Sequence, residues 1–501
     1  MDGNSIVGFY ILLSIALYVQ GAKKNVLFLV ADDFRPNIGV YQGLNLGPNH
    51  TPNLDTLASQ SMVMKQAYVQ YAVCGPSRSS FLTGRRPDTT HVYDLETYFR
   101  NVGGNFTTIP QYFKNHGYTS VGIGKIFHPG LSSNYDDPIS WSKNYHVSQA
   151  HHYGHSRHSH SWRAVPDIER QQFPLVDEMI STQAKKSLNE LATAGQPFFL
   201  AVGFHKPHLP FLFPQKFLSD IPVSMVDLPT NAYAPVDMPD KAWNNYAELR
   251  VFNDIAVFNA TGNPNTTLPD NVVKDLRRAY FSAVSYMDSL VGEVLSELKN
   301  LNLMNDTIIS FVGDHGYSLG EHGLWTKHTT FEDAVHAPMM LRVPGLTDHG
   351  VVTNQLVEFV DLFPTLVDAA RLPKLKICPE ESTHVSVCTE GKSMLPLMTS
   401  PNGPWKMAAF SQNKRGKGIM GYTVRTDQYR YTEWTRFNGA PVFKPNYSRS
   451  LVGVELYDHV KDPQENVNLA HHHDKTDAVA SLKKILHSGW RSKDTNPGII
   501  G

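Results

Sequence analysis

Acidic, basic and thiol side chains cluster at the ends of short apolar runs in this 501-residue chain. The run NVLFLVA ends in Asp32 and Asp33, and the run TIISFVG ends in Asp314 and His315. Three carboxylates meeting in one place suit a hard divalent cation such as Ca²⁺ or Mg²⁺, because carboxylate oxygens are its preferred ligands; the imidazole of His315 is the unusual member of that set. A third stretch, VCGPSRSSFLTGRRP, sets Cys74 at or just before a helix, since Pro76 fits a first turn and Gly84 fits an end. Unpaired N–H groups at such a start favour an anion, and Arg78 adds a fixed planar charge beside it. Together these features suit a tetrahedral oxyanion, sulfate or phosphate, held against residue 74.

Other polar groups sit in loops that follow apolar runs. GKIFHPG carries Lys125 and His128, HKPHLP carries His205 and His208, and GYSLGEHGLWTKHTTFE carries Lys327. A lone lysine is most often a solvated surface charge, and without a family motif Lys125 and Lys327 read that way. His205 reads as a structural histidine. The histidine-rich stretch from His151 to His160 reads as a solvated loop and is assigned no function.

The apolar runs read as buried strands separated by helical segments. TPNLDTLASQSM follows a capping Thr51, TIPQYFKNHGY precedes the strand TSVGIG, and VDEMISTQAKKSLNELATAG precedes the strand PFFLAVGF. This alternation predicts a doubly wound α/β domain, in which ligands bind beyond the C-terminal ends of the strands. The Pro- and Gly-containing TSPNGPW breaks the pattern near residue 400, giving units at 23–399 and 400–501. In the second unit KMAAFSQ, GIMGYTVRT and YRYTEWTRF read as antiparallel strands and AVASLKKILHSGW as a closing helix.

Composition narrows the class. With 41% hydrophobic and 18% charged residues the chain can bury a large core, and a formal net charge of -1 argues against a nucleic-acid partner. The 23 histidines make surface charge dependent on pH. Residues 1–22 contain an apolar run too short to cross a bilayer and read as a signal peptide, and no later run predicts membrane insertion. Sequons at Asn105, Asn259, Asn265, Asn305 and Asn446 fit N-glycosylation on a secretory route, whereas the sequon at Asn49 is compromised by Pro52. In an oxidising compartment cysteines pair, and Cys378 and Cys388 close a short ring. Cys74 is left over, as an inert buried thiol, an intermolecular linker or a reacting group.

The run CGPSR followed by SSFLTGRRPDTT resembles the C-x-P-x-R signature of type I sulfatases. The stretches NVLFLVADDFRP, GKIFHPG, AVGFHKPHLPF, GDHGYSLGEHG and MGYTVRTDQYRYTEW extend the resemblance, most closely to the iduronate-sulfatase branch that acts on heparan and dermatan sulfate in the lysosome. The resemblance implies an alkaline-phosphatase-like sulfatase fold: a large mixed sheet flanked by helices, plus a smaller C-terminal α+β domain with an antiparallel sheet. It implies that a formylglycine-generating enzyme converts Cys74 to Cα-formylglycine, whose hydrate attacks sulfur with one hydroxyl and expels sulfate with the other. Asp32, Asp33, Asp314 and His315 then match ligands of one Ca²⁺, completed by residue 74. Arg78, Lys125 and Lys327 match the groups that hold sulfate, His128 the base at residue 74, and His208 the donor to the sugar oxygen. His91, Asp137, Tyr317 and Trp325 match the border of the sugar pocket, with His91 and Tyr317 standing where Arg and Trp are usual. The implied partner is a sulfated glycosaminoglycan or oligosaccharide, and the implied location is the lysosome or the cell exterior. A sulfatase for another glycan, a metal-dependent phosphatase or phosphodiesterase, and an inactive glycan-binding protein are the alternatives.

Overall fold

Strands without polar interruption cannot present either face to water, so they belong in the middle of a sheet covered on both sides. The computed structural model describes residues 23–41, 50–148, 160–440, 442–447 and 451–492. The expected signal peptide, Asn49 and most of the histidine-rich stretch lie outside the described residues. A seven-stranded sheet runs in the order Val351–Glu358, Met62–Tyr68, Met339–Arg342, Thr307–Gly313, Asn25–Ala31, Phe198–Phe204, Thr119–Gly124. Met339–Arg342 is antiparallel to both of its neighbours, and the other pairings are parallel, so the sheet is mixed.

Alternation along Asn25–Ala31 divides the core. Leu27, Leu29 and Ala31 face one side, where the helices Val176–Ala194 and Asp270–Asn300 pack. Val26, Phe28 and Val30 face the other, against the helices Cys74–Thr83, Ile109–Asn115 and Leu362–Ala369. Burying each large apolar side chain contributes roughly 1.5–3 kcal/mol, which holds these layers together and fixes the strand ends. Asn25–Ala31 and Thr307–Gly313 lie side by side with Ala31 opposite Gly313. Asp32 and Asp314 therefore leave the sheet as neighbours.

A second sheet is antiparallel, with Ala409–Arg415, Ile419–Arg425 and Tyr429–Asn438 in order and Gly453–Asp458 paired to Tyr429–Asn438. The helix Thr476–Ser488 covers it through Leu482 and Leu486, which pack with Met420 and Val424. This sheet joins the large one where the Gln412 N–H donates to the Gln70 carbonyl at 2.9 Å. Cys378 and Cys388 form a disulfide with Cα atoms 4.9 Å apart.

Candidate active site

The two central strands deliver their carboxylates to one point. Asp32, Asp33 and Asp314 are fully buried and present oxygens within 4.8 Å of one another. Asp33 adopts φ 58°, a left-handed conformation that costs a non-glycine residue energy and persists only where surroundings impose it. The surroundings are visible: the Asp33 N–H donates to Asp314 Oδ1 at 2.9 Å, and the Tyr280 hydroxyl donates to the Asp33 carbonyl at 2.9 Å. Tyr280 comes from the helix Asp270–Asn300 and also accepts the Arg35 N–H at 3.0 Å.

Cys74 begins its helix and points at this cluster, with Sγ 3.5 Å from Asp32 Oδ1, 3.9 Å from Asp33 Oδ1 and 3.4 Å from His315 Nε2. Arg78, one turn along, donates from Nε to Asp314 Oδ2 at 2.9 Å and from Nη2 to Asp32 Oδ1 at 3.0 Å. Lys125 reaches Asp32 Oδ2, and Lys327 donates to both oxygens of Asp33 at 3.0 Å. The Lys125 position depends on Gly203 in the neighbouring strand, where a Cβ would lie 2.1 Å from the Lys125 carbonyl oxygen. Three buried carboxylates thus meet three buried cations.

The charges set each other's protonation. Burial opposes ionisation of Asp32, but Lys125 and Arg78 outweigh it and hold the carboxyl well below its usual range. Burial raises Asp33 to about 6 against the pull of Lys327 and His315. Burial, reinforced by Asp32, pushes the Cys74 thiol well above its ordinary value, so the thiolate that would act as a nucleophile is suppressed. Burial and the charge of Lys125 lower His128 to about 3. Burial and the charges of Lys327 and Lys125 hold His208 well below the usual imidazole value. Both imidazoles are neutral in this field. Three carboxylates this close, with one imidazole beside them, form a donor set that fits a hard divalent cation.

The sulfatase family profile matches residues 24–372, and a profile described as N-sulphoglucosamine sulphohydrolase, C-terminal, matches residues 320–491. The chain belongs to the sulfatase family. Human iduronate 2-sulfatase is 38% identical over 507 residues, covering 89% of this chain and 90% of the relative. Choline-sulfatase of Rhizobium meliloti is 27% identical over 399 residues, covering 75% and 72%. The fold is shared with a solved structure in complex with D-glucosamine-2-N,6-O-disulfate, at TM-score 0.68 and 18% identity, covering 95% of this chain and 100% of that one. It is shared as well with phosphonate monoester hydrolase from Silicibacter pomeroyi, at TM-score 0.69 and 19% identity, covering 92% and 94%.

In this sulfatase the remaining candidate residues fall into two groups. His128 lies among the charges, with Nδ1 buried and without a hydrogen-bond partner. His208 fixes Nδ1 on the Leu209 carbonyl at 2.5 Å and turns Nε2 toward Asp33 Oδ2 at 3.9 Å. The loop that carries it is held by Asp177, which accepts the His205 and Lys206 N–H groups at 2.8 Å each. The four residues expected around the sugar are more dispersed. Tyr317 is fully buried, stacked on Tyr280 at 5.4 Å, and Trp325 is 3% exposed within the same core. Asp137 is partly buried with one oxygen unpaired, and the His91 ring stacks on Phe443 at 3.6 Å.

Sequence reasoning missed Glu248. It sits on the one-turn helix Ala247–Arg250, accepts from Lys327 Nζ at 2.8 Å and lies 3.5 Å from His208 Nε2. An acidic residue in NNYAELR looks like an ordinary solvated charge, and only the folded distance reveals its place. A separate trio, Glu332, His459 and Glu465, is also close enough to hold a cation, but Arg430 pairs with both carboxylates there. That trio reads as an ion-pair network.

Proposed function

We propose that this sulfatase removes the 2-O-sulfate of iduronate in heparan and dermatan sulfate, using Cα-formylglycine made from Cys74 and one Ca²⁺. The observation that carries the reading is Cys74 at a helix start, 3.4 to 3.9 Å from Asp32, Asp33 and His315, with its own thiol chemistry suppressed. The similarity to human iduronate 2-sulfatase over 89% of the chain supports the choice of sugar. A formylglycine-generating enzyme in the secretory pathway would make the modification, and glycans at Asn105, Asn259, Asn265, Asn305 and Asn446 fit the same route. The working compartment is the lysosome or the cell exterior, and the chain divides functionally into residues 23–399 and 400–501.

Asp32, Asp33, Asp314 and His315 are the residues that would hold the cation, with an oxygen of residue 74. A bound Ca²⁺ supplies polarisation of the sulfate and of the attacking hydroxyl. The formylglycine hydrate supplies two hydroxyls on one carbon, one for attack on sulfur and one for expelling sulfate. Arg78, Lys125 and Lys327 gather positive charge where the sulfate oxygens would sit and stabilise charge that develops there. His128 is neutral, with Nδ1 unpaired, and so is ready to take a proton from a hydroxyl of residue 74. His208 holds its Nδ1–H on a carbonyl, so Nε2 is the nitrogen that would have to take up a proton before passing it to the departing sugar oxygen. His91 and Asp137 are left to shape the sugar side, since Tyr317 and Trp325 are buried in the core, and a histidine at position 91 makes recognition of the uronate carboxylate strongest in acid.

The test is a set of hydrolysis assays on protein made alongside the modifying enzyme, comparing 2-O-sulfated iduronate with 6-O-sulfated glucosamine and a phosphonate monoester. Mass spectrometry of the tryptic peptide containing residue 74 accompanies them. We expect release of sulfate from the iduronate ester, its loss in Cys74→Ala, and an aldehyde at residue 74. Turnover confined to another sulfated sugar would overturn the substrate, and full activity with an intact thiol would overturn the modification.

A further inference from the structure

Lys327 is held from several directions at once. Its ammonium touches both oxygens of Asp33 and Glu248 Oε1, and its own carbonyl accepts from Asn244 Nδ2 at 2.9 Å. Its neighbours Thr326 and His328 both take positive φ, 71° and 73°, a left-handed conformation unfavourable for β-branched and bulky residues. The His328 ring adds a second contact to the same acid, Nε2 lying 3.3 Å from Glu248 Oε2. One short segment, Asn244 to Glu248, therefore grips the lysine turn at its backbone, at its ammonium and at the next side chain. The same Glu248 Oε1 lies 3.5 Å from His208 Nε2.

We propose that Glu248 is a positioning residue that aims Lys327 at the sulfate, an inference that rests on the role given to that lysine above. Asp33 belongs to the cation-binding set, so its oxygens are shared once the site is loaded. Glu248 is then the carboxylate left to hold the Lys327 ammonium in place. A lysine side chain loses up to about 2 kcal/mol of rotamer freedom when ordered, and a partner that orders it beforehand moves that cost out of the reaction. Glu248 also has an opposing effect: a carboxylate next to a sulfate site repels the bound anion. The two effects fall on different parameters. Positioning appears in kcat, and repulsion appears as weaker binding of substrate and of sulfate.

The experiment compares Glu248→Gln and Glu248→Asp with wild type in steady-state turnover of a sulfate ester that wild type hydrolyses. It also measures inorganic sulfate binding by calorimetry to Cys74→Ala protein with and without Glu248→Gln. We expect Glu248→Gln to lower kcat at least tenfold with KM no higher than wild type, and Glu248→Asp to recover part of that loss. Sulfate should bind the double variant at least as tightly as Cys74→Ala alone. A kcat within twofold of wild type would overturn the proposal. So would a threefold or greater loss of sulfate affinity, which would mark Glu248 as a general support of the pocket. If wild type turns over no sulfate ester, that failure belongs to the proposed function, and the calorimetric comparison still decides whether Glu248 opposes anion binding.

Discussion

Asp32 is the residue on which the charge balance of the site turns, because Arg78 and Lys125 both lean on it and all three are buried. Removing one member of a buried ion pair leaves an uncompensated charge, at a cost of about 3–5 kcal/mol. Asp32→Asn should therefore lower unfolding free energy by that order even in protein treated with chelator, read from urea unfolding, in addition to abolishing turnover. Stability unchanged from wild type under chelation would mean that Lys125 and Arg78 find other partners. The aspartates and Cys74 were legible in sequence because they end an apolar run or open a helix, and strand ends converge in this architecture, whereas Lys125 and Lys327 stood out only through the sulfatase resemblance. Glu248 and Asp177 were not. They act through contacts 79 and 28 positions away along the chain, to Lys327 and to His205, and neither stands in a motif. Tyr317 and Trp325, expected at a pocket border, are buried in the core.

At the scale of elements, the helix Asp270–Asn300 does more than cover the sheet. Its Tyr280 hydroxyl is buried, donates to the Asp33 carbonyl and accepts the Arg35 N–H, so one side chain satisfies both ends of the turn that aims Asp33. Tyr280→Phe leaves two buried backbone groups unpaired, each costing about 1–3 kcal/mol. We expect a lower melting temperature and a fall in kcat/KM larger than any rise in KM accounts for, since the misplaced group is Asp33. Wild-type kinetics with reduced stability would show that the turn is held by Asp314 without Tyr280. The continuous apolar strands announced themselves in sequence, as did the helices at Pro52–Ala58, Ile109–Asn115 and Val176–Ala194, whereas Asp270–Asn300 was not read. Met339–Arg342 did not, being four residues between prolines whose antiparallel direction is fixed only by Thr307–Gly313 and Met62–Tyr68 on either side. Val351–Glu358 mixes polar and apolar positions because it is an edge strand, and so lacks the signal of a central one.

For the whole molecule, the second sheet contributes stability that depends on pH. Glu455 is fully buried, accepting from Trp434 Nε1 at 2.6 Å and from the Tyr457 hydroxyl at 2.8 Å. Burial raises it from 4.5 to about 7, while the Trp434 and Tyr457 hydrogen bonds pull the other way. An acid whose folded value lies above its unfolded value binds its proton more tightly when folded. Its contribution is therefore intact below pH 4.5 and is lost as the pH rises to about 7, by roughly 3 kcal/mol in all. His336 acts in the opposite direction: burial lowers it from 6.5 to about 4, so its contribution is present above 6.5 and is lost as the pH falls toward 4. The two slopes oppose each other across mildly acid pH, so the wild-type profile alone does not isolate either group. A neutral isostere does. In Glu455→Gln the carbonyl can still accept from Trp434 and the amide can donate to the Tyr457 oxygen, so packing is retained while ionisation is removed. Unfolding free energies measured from pH 4.5 to 8 should show the variant more stable than wild type by up to roughly 3 kcal/mol at pH 8, with the difference shrinking toward pH 4.5. A difference that stays constant with pH would mean that Glu455 does not change its proton affinity on folding, and that the second sheet tolerates a buried charge.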